Sequence, residues 1–349
     1  MSVESDPGTA LTGARPVLSV VIACLNAVDT LAVQLKALSS QSCPVPWELL
    51  LCDNGSTDGT RAVAESYRSR IPQLRLIDAS AVRGAGPARN YGVQMARGEW
   101  VAFCDADDEV ASDWLGTMAS ALAGHRFVAG RFEKYRLNDA RVLRSRPLQQ
   151  QDDLQKTDIG ARLPHAGGGN MGMYRSDFLA IGGFDPQIRW LEDTDLSWRA
   201  QLAGIPLAFC PEIVVHVRLR HTFRTMYDQG RQYGAAHALL EERYGPPGVD
   251  EPATDVSPAA RASRRPGRLK VAWTHLVDHV VAGRFVWRLG WVMGHRGHRP
   301  GSVGAGPAPL ADLVPDVSVA NASGEADPGA TRPIPGAWPT TGTGRPVPS

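Results

Sequence analysis

The sequence predicts an α/β fold with a doubly wound, mostly parallel sheet flanked by helices, built from residues 16–244. Three observations carry that expectation. Residues 17–24, VLSVVIAC, are a nearly continuous β-branched run, the pattern of a strand covered on both faces. Further apolar runs alternate with helix-periodic stretches at βαβ intervals. An acidic Asp-X-Asp triplet then follows the fourth apolar run, where open α/β sheets bind ligands beyond the carboxyl ends of their strands.

The elements follow in order. Residues 1–15 are polar and rich in Gly, Pro and Ser, and are expected to form a flexible arm. After the first strand, residues 29–42 place Leu31, Leu35 and Leu38 at helical spacing. The second strand, 47–52, ends in Asp53-Asn54-Gly55-Ser56-Thr57-Asp58, a turn able to cap a helix running to Tyr67. A third strand at 74–77, a helix at 86–97 and a fourth strand at 99–104 complete a first half, 16–110. The second half, 111–244, is expected to hold a helix at 112–125, a strand at 127–133, a mobile loop at 134–165, a strand at 170–174 and helices at 175–181 and 192–203. Short strands at 207–210 and 213–217 and a helix at 222–244 follow, stopped by Pro246-Pro247. Residues 245–268 have linker composition, 269–299 an amphipathic helical pattern, and 300–349 too few large apolar groups to offset ordering entropy, so a disordered tail is expected.

Charge and composition exclude several roles. Thirty-seven basic against 36 acidic residues give a net charge of +1, which argues against nucleic acid as the main partner. No run approaches the roughly 20 apolar residues that span a bilayer and no apolar leader core is visible, so a cytoplasmic protein is expected. Five cysteines without C-x-x-C spacing fit neither a disulfide framework nor a zinc site. Two readings of 269–293 stand side by side. Leu269, Trp273, Leu276 and Val280 form one stripe and the region is basic, which suits an anionic membrane surface. The same stripe equally suits packing on the catalytic core or a second subunit.

The chemistry-bearing residues are acidic. Asp105 and Asp107 in EWVAFCDADD lie just past a buried strand, where residues i and i+2 project to one side and can face one divalent cation or a metal-bound diphosphate. A solvated capping loop is the plain alternative. Asp193-Thr194-Asp195 repeats the triplet at the start of a helix, where residues two apart diverge, so it is a poor chelate whose members can hold separate roles.

Taken together, SVVIACLN (19–26), CDNGSTDGT (52–60), RGAGPARNYG (83–92), GEWVAFCDADD (98–108), GGNMGMYR (168–175), IGGFD (181–185) and EDTDLSWR (192–199) resemble the family 2 inverting glycosyltransferases of GT-A fold over about residues 16–244. The resemblance implies a nucleotide-binding first half and an acceptor-binding second half. It implies that Asp53, with Asn54 in place of a frequent second Asp, meets the nucleotide, and that Asp105 and Asp107 hold the metal and sugar nucleotide. It makes Asp193 the general base and His216 a further metal ligand. Single-sugar transfer from a nucleotide-sugar donor to a hydroxyl on a glycan, lipid-linked or small-molecule acceptor is expected, with Mn²⁺ or Mg²⁺ as cofactor, in cell-envelope polysaccharide biosynthesis. Arg83 and Arg89 are candidates for the diphosphate or nucleotide, and Gly169 and Asn170 for bringing backbone close to donor or acceptor. Arg224 and Arg231 are candidates to cover the diphosphate, and Trp190 to stack on an acceptor sugar. The chemistry independently asks for these types. Departing phosphates need a cation, and the attacking hydroxyl needs a carboxylate on the opposite face. A sugar nucleotidyltransferase and a non-catalytic sugar-nucleotide-binding module are the competing classes.

Overall fold

The computed structural model describes residues 15–145, 149–157, 161, 163–245, 279–298, 301 and 306–311. The first half is the predicted parallel unit: strands β1 (Leu18–Cys24), β2 (Trp47–Asp53), β3 (Leu74–Asp78) and β4 (Trp100–Cys104) lie side by side and run one way. Helices α1 (Leu31–Ser39), α2 (Thr60–Ser66) and α3 (Ala85–Met95) return the chain between them. The unbroken apolar runs are explained by burial on both faces. Val20, Ile22, Leu49 and Leu51 pack with Leu31, Leu35 and Leu38 on one side, while Val21, Leu50 and Phe103 pack with Ala88, Val93 and Phe178 on the other. Cys24, Cys52 and Cys104 are buried and free, as expected of core residues.

The second half adds β5 (Glu109–Val110), α4 (Trp114–Gly124), β6 (Phe127–Glu133), α5 (Ala140–Ser145), β7 (Asn170–Tyr174), α6 (Arg175–Ala180), α7 (Glu192–Leu202), β8 (Leu207–His216), α8 (Phe223–Tyr244) and α9 (His279–Arg296). All strands join one eight-stranded sheet in the order β3-β2-β1-β4-β7-β6-β8-β5. The sheet is mixed: β7 runs antiparallel to both β4 and β6, and β5 antiparallel to β8, while β6 and β8 are parallel. The chain leaves β1 for β2 on one side and returns to β4 on the other, so the carboxyl ends of β1 and β4 form the crevice where such sheets bind ligands.

Three expectations are corrected. The two short strands predicted at 207–217 are one strand, β8, whose register with β6 shifts between Gly130 and Arg131. Pro211 and Glu212 are exposed at that irregularity, which looked like a strand break. The stretch 134–165 is not wholly loop: it contains α5, a Gln155–His165 bridge, and a buried Gln150 that donates to Gly130 O at 2.7 Å and accepts from Gly167 N at 2.7 Å. Within the expected disordered tail, residues 306–311 pack on the domain. Leu310 N donates to Leu179 O at 2.9 Å and its side chain joins the second core cluster.

The C-terminal helix follows one of the two readings offered for 269–293, packing on the domain. Here α9 lies parallel to α8, with Tyr227 against Gly290 and Glu242 paired to His298. The backbones touch through four glycines. A Cβ at Gly230 or Gly234 would stand 2.1 or 2.0 Å from the carbonyl of Trp287 or Trp291, and one at Gly290 or Gly294 would stand 2.3 or 1.8 Å from that of Tyr227 or Arg231. The apolar contact of this segment is therefore made to α8 through small residues. Leu269, Trp273 and Leu276 of the expected stripe, with residues 1–14, 246–268 and 312–349 of the arm, linker and tail, lie outside the described residues. No described helix is long and apolar enough to cross a membrane.

Candidate active site

Beyond β4 the chain turns sharply, and Asp105, Asp107 and Asp108 each bring a carboxylate oxygen within 4.8 Å of the others. The turn is braced by Gln34 of α1, whose amide donates to Asp105 O at 2.9 Å and accepts from Val110 N at 2.9 Å. From the far side, Arg218 donates its backbone N–H to Asp108 Oδ1 at 2.7 Å and its Nε–H to Asp107 O at 3.0 Å. Burial and the neighbouring carboxylates raise the proton affinity of Asp107, and more strongly that of Asp108. Arg220 opposes the rise at Asp107. Three oxygen-only carboxylates this close form a hard donor set of the kind that can hold a divalent cation.

The second motif opens α7. Asp193 is half-buried; its Oδ2 accepts from Gly168 N at 2.7 Å and its Oδ1 from Thr194 N at 2.8 Å. Burial pushes its proton affinity up and those two N–H donors pull it back. Burial also pushes Glu192 up to about 7, helped by Asp193 and opposed by Arg89. Arg89 ties the motifs together: from α3 it donates to Asp105 Oδ1 at 2.6 Å and to Glu192 Oε1 at 3.2 Å. Its side chain is only 6% exposed, so it is a buried charge held by carboxylates rather than a solvated surface arginine. Between the motifs runs Gly168-Gly169. A Cβ on Gly168 would stand 3.5 Å from Asp193 Oδ2, and one on Gly169 would stand 2.6 Å from Asp105 Oδ2. Only a glycine at 169 lets the backbone pass that carboxylate.

Other candidates are placed differently. Asp53, at the end of β2, is buried and already engaged, accepting from Ser56 N at 3.1 Å and from Arg61 Nη1 at 2.9 Å. Asn54 was expected to meet the nucleotide, but its Nδ2 donates to Ala79 O and Val82 O and its Oδ1 accepts from Gly84 N at 2.8 Å, so its N–H groups are consumed in stapling the loop before α3. Arg83 is bound to Asn54 O at 3.2 Å beside that staple. Asn170 is corrected similarly. It is fully buried, accepts from Trp114 Nε1 and donates to Arg131 O and Ile213 O, filling the β6–β8 irregularity rather than facing a ligand. His216 stands apart from the three-carboxylate group, its Nδ1 2.6 Å from Glu133 Oε2.

A cleft of roughly 210 Å³ is lined by Trp190, Arg220, Thr225, Asp228, Gln229 and Gln232. It joins the loop before α7 to one face of α8, three residues from Asp193 and beside the arginine that acts on Asp107. Trp190 leans on Tyr233 at 6.0 Å between ring centroids. The sequence reading assigned no role to Gln34, Asp108, Glu192 or Arg218. Gln34 was detectable as the one polar side chain within the Leu31, Leu35, Leu38 stripe.

Known proteins resemble this chain in sequence and in fold. The archaeal glycosyltransferase AglE of Haloferax volcanii is 31% identical over 115 residues, covering 33% of this chain and 38% of that protein. The putative teichuronic acid biosynthesis glycosyltransferase TuaG of Bacillus subtilis is 33% identical over 105 residues, 30% of this chain and 41% of that one. The matched stretch thus spans less than half the length of either relative. Among solved structures, the mannosyltransferase PcManGT of Pyrobaculum calidifontis, determined with GDP-Man and Mn²⁺, superposes with a TM-score of 0.51 at 20% identity, covering 78% of this chain and 74% of that one, which shows a shared GT-A-like fold. The sequence model described as Glycosyl transferase family 2 matches residues 19–182, from β1 through β7 and α6, a little under half of the chain.

Proposed function

We propose that this protein is a metal-dependent, inverting glycosyltransferase that moves one sugar from a nucleoside-diphosphate donor to an acceptor hydroxyl. The observation that carries the reading is the opposition of Asp105 and Asp193 across the Gly168-Gly169 backbone, with Arg89 holding both motifs in register. The three carboxylates at 105, 107 and 108 fit a divalent cation: they are close and oxygen-only, and burial among like charges raises the proton affinity of Asp107 and Asp108. Oxygen ligands alone suit Mg²⁺ or Mn²⁺. Bound there, the cation would neutralise charge building on the departing diphosphate.

The chain's own residues supply the rest. Arg89 fixes Asp105 by one oxygen, leaving Oδ2 toward Gly169. Asp193 accepts the proton of the attacking hydroxyl, and its raised proton affinity makes it a better base than a solvated carboxylate. Inversion follows from attack on the face opposite the leaving group. The cleft beside Trp190 receives the acceptor, with the indole offering a stacking face and Asp228, Gln229 and Gln232 offering hydrogen-bonding groups. The relative named for teichuronic acid synthesis supports an acceptor in cell-envelope polysaccharide biosynthesis.

A thermal-shift panel of UDP-, GDP- and dTDP-sugars with Mn²⁺, followed by assay of nucleoside diphosphate release, tests the reading. One donor family should raise the melting temperature and be slowly turned over. Pyrophosphate release from a nucleoside triphosphate and a sugar phosphate would instead identify a nucleotidyltransferase, and donor binding without any turnover a binding module.

A further inference from the structure

The outward face of α9 is apolar where a solvated helix is polar. Phe285, Leu289 and Met293 are 66%, 45% and 54% exposed, and their spacing of four residues sets them in one stripe. The stripe lies across the helix from Gly290 and Gly294, which are buried against α8. Arg284, Arg288 and Arg296 are exposed on the same helix, and at about 100° per residue Arg296 falls within the stripe while Arg288 flanks its edge. Residues 279–296 contain no Asp or Glu. The nearby acids of α8 point the other way: Glu241 pairs with His295 at 3.0 Å and Glu242 with His298 at 2.7 Å. The face is therefore a band of large apolar side chains, about 12 Å long at 1.5 Å per residue, interleaved with arginines and without a counter-charge of its own.

We propose that this face of α9 docks on an anionic lipid bilayer, with Phe285, Leu289 and Met293 entering the boundary between headgroups and acyl chains while the arginines meet phosphate. Charge complementarity selects that occupant. Apolar insertion and basic flanks act together on an anionic interface, the combination that holds helices lying in the membrane plane. A second copy of the chain fits less well, because the same basic, acid-free face on both partners supplies no opposite charge to meet the arginines. The inference goes beyond the catalytic reading and does not depend on it.

Co-sedimentation of the full chain with large vesicles tests it, using phosphatidylcholine alone and phosphatidylcholine mixed with phosphatidylglycerol. The protein should sediment with the mixed vesicles, leave the neutral ones in solution, and release in high salt as the charges are screened. Two variants separate the contributions: Phe285→Ser with Leu289→Ser and Met293→Ser, and Arg284→Gln with Arg288→Gln and Arg296→Gln. Each should weaken binding about tenfold or more, and both should keep the wild-type melting curve because all six side chains are exposed. The proposal fails if wild type does not sediment with anionic vesicles, or if both variants bind as tightly as wild type. It also fails if light scattering finds a dimer that the triple serine variant dissolves.

Discussion

In the loop after β4, Asp105, Asp107 and Asp108 turn their carboxylates onto one region, whereas the three acids that open α7 turn to three separate partners. Glu192 goes to Arg89, Asp193 to the backbone of Gly168, and Asp195 inward to Arg199, Arg243 and Tyr244. Both motifs read Asp-X-Asp. A tight turn off a strand end lets successive side chains converge, while a helix sends positions two apart about 200° round its axis. Backbone geometry therefore decides which triplet can chelate, and on the proposed function the second divides its acids between chemistry and architecture.

The comparison breaks most sharply at Asp107. Asp107→Ala should abolish the Mn²⁺-dependent thermal shift given by a donor, and transfer with it, since two carboxylates then remain where three converged. Retention of the metal-dependent shift would remove the chelating role from the first motif. Asp193→Asn should leave donor binding intact and lower kcat by ~10²- to 10⁴-fold. Transfer at the wild-type rate would remove the base from the second.

Asp195 tests the architectural half. Its buried carboxylate holds Arg199 at 2.8 Å, Arg243 at 2.9 Å and the Tyr244 hydroxyl at 2.7 Å, and Arg243 also reaches Asp185 at 2.7 Å, so this one side chain fastens α7 to the end of α8. Asp195→Ala leaves buried cations without their partner and should cost about 3 kcal/mol in a urea titration, while the surviving folded protein keeps donor binding. If its stability is unchanged and its turnover falls, Asp195 belongs to the chemistry instead.

Glu192 lies between these cases, and its effect is expressed through pH. Its carboxyl is raised from 4.5 to about 7 in the folded protein. The native state thus holds a proton that the unfolded chain releases, and its stabilising contribution is full below pH about 4.5 and lost as pH rises through about 7. Glu192→Gln, uncharged throughout, should flatten the stability-against-pH curve between pH about 4.5 and about 7, so that the variant no longer loses this contribution as the pH rises. An unchanged profile would assign the pH dependence to another group.

How much of this was legible in the sequence follows the same division between local and distant causes. The first half was read nearly element by element, because each strand is an apolar run and each helix a periodic one. The second half was misread where pairing is non-local. The strand β7 runs against its neighbours, β5 is two residues long, and β8 is continuous only because Gly130 and Asn170 accommodate its slip against β6. Among site residues, Asp105, Asp107 and Asp193 were placed by their positions on local elements. Asn54 and Asn170 were misplaced because an amide's partners are set by which loops meet it, and motif spacing does not record that. The glycines of α8 and α9 carry a close helix contact that no apolar pattern announces.

The smallest expected effect bears on whether the architectural side of the second motif needs the C-terminal stretch. Arg199, the partner of Asp195, also donates to Ile181 O and Gly183 O, and those residues form the turn that residues 306–311 cover. A Cβ at Gly182 would stand 2.6 Å from Ala308 O, and one at Gly183 would stand 2.7 Å from Leu310 Cδ1, so the turn is glycine both for its positive φ of +83° and +59° and for this cover. Gln94 adds a bond to Ala311 O at 3.0 Å. A chain ending at residue 311 should melt like the full chain, and one ending at 305 should lose about 1 kcal/mol, the scale of a partly buried leucine, without change in donor affinity. Equal stability of the two truncations would show that Arg199 and Asp195 hold the turn unaided, and a fall in donor affinity would show that the architectural and chemical halves of the motif are coupled through α7.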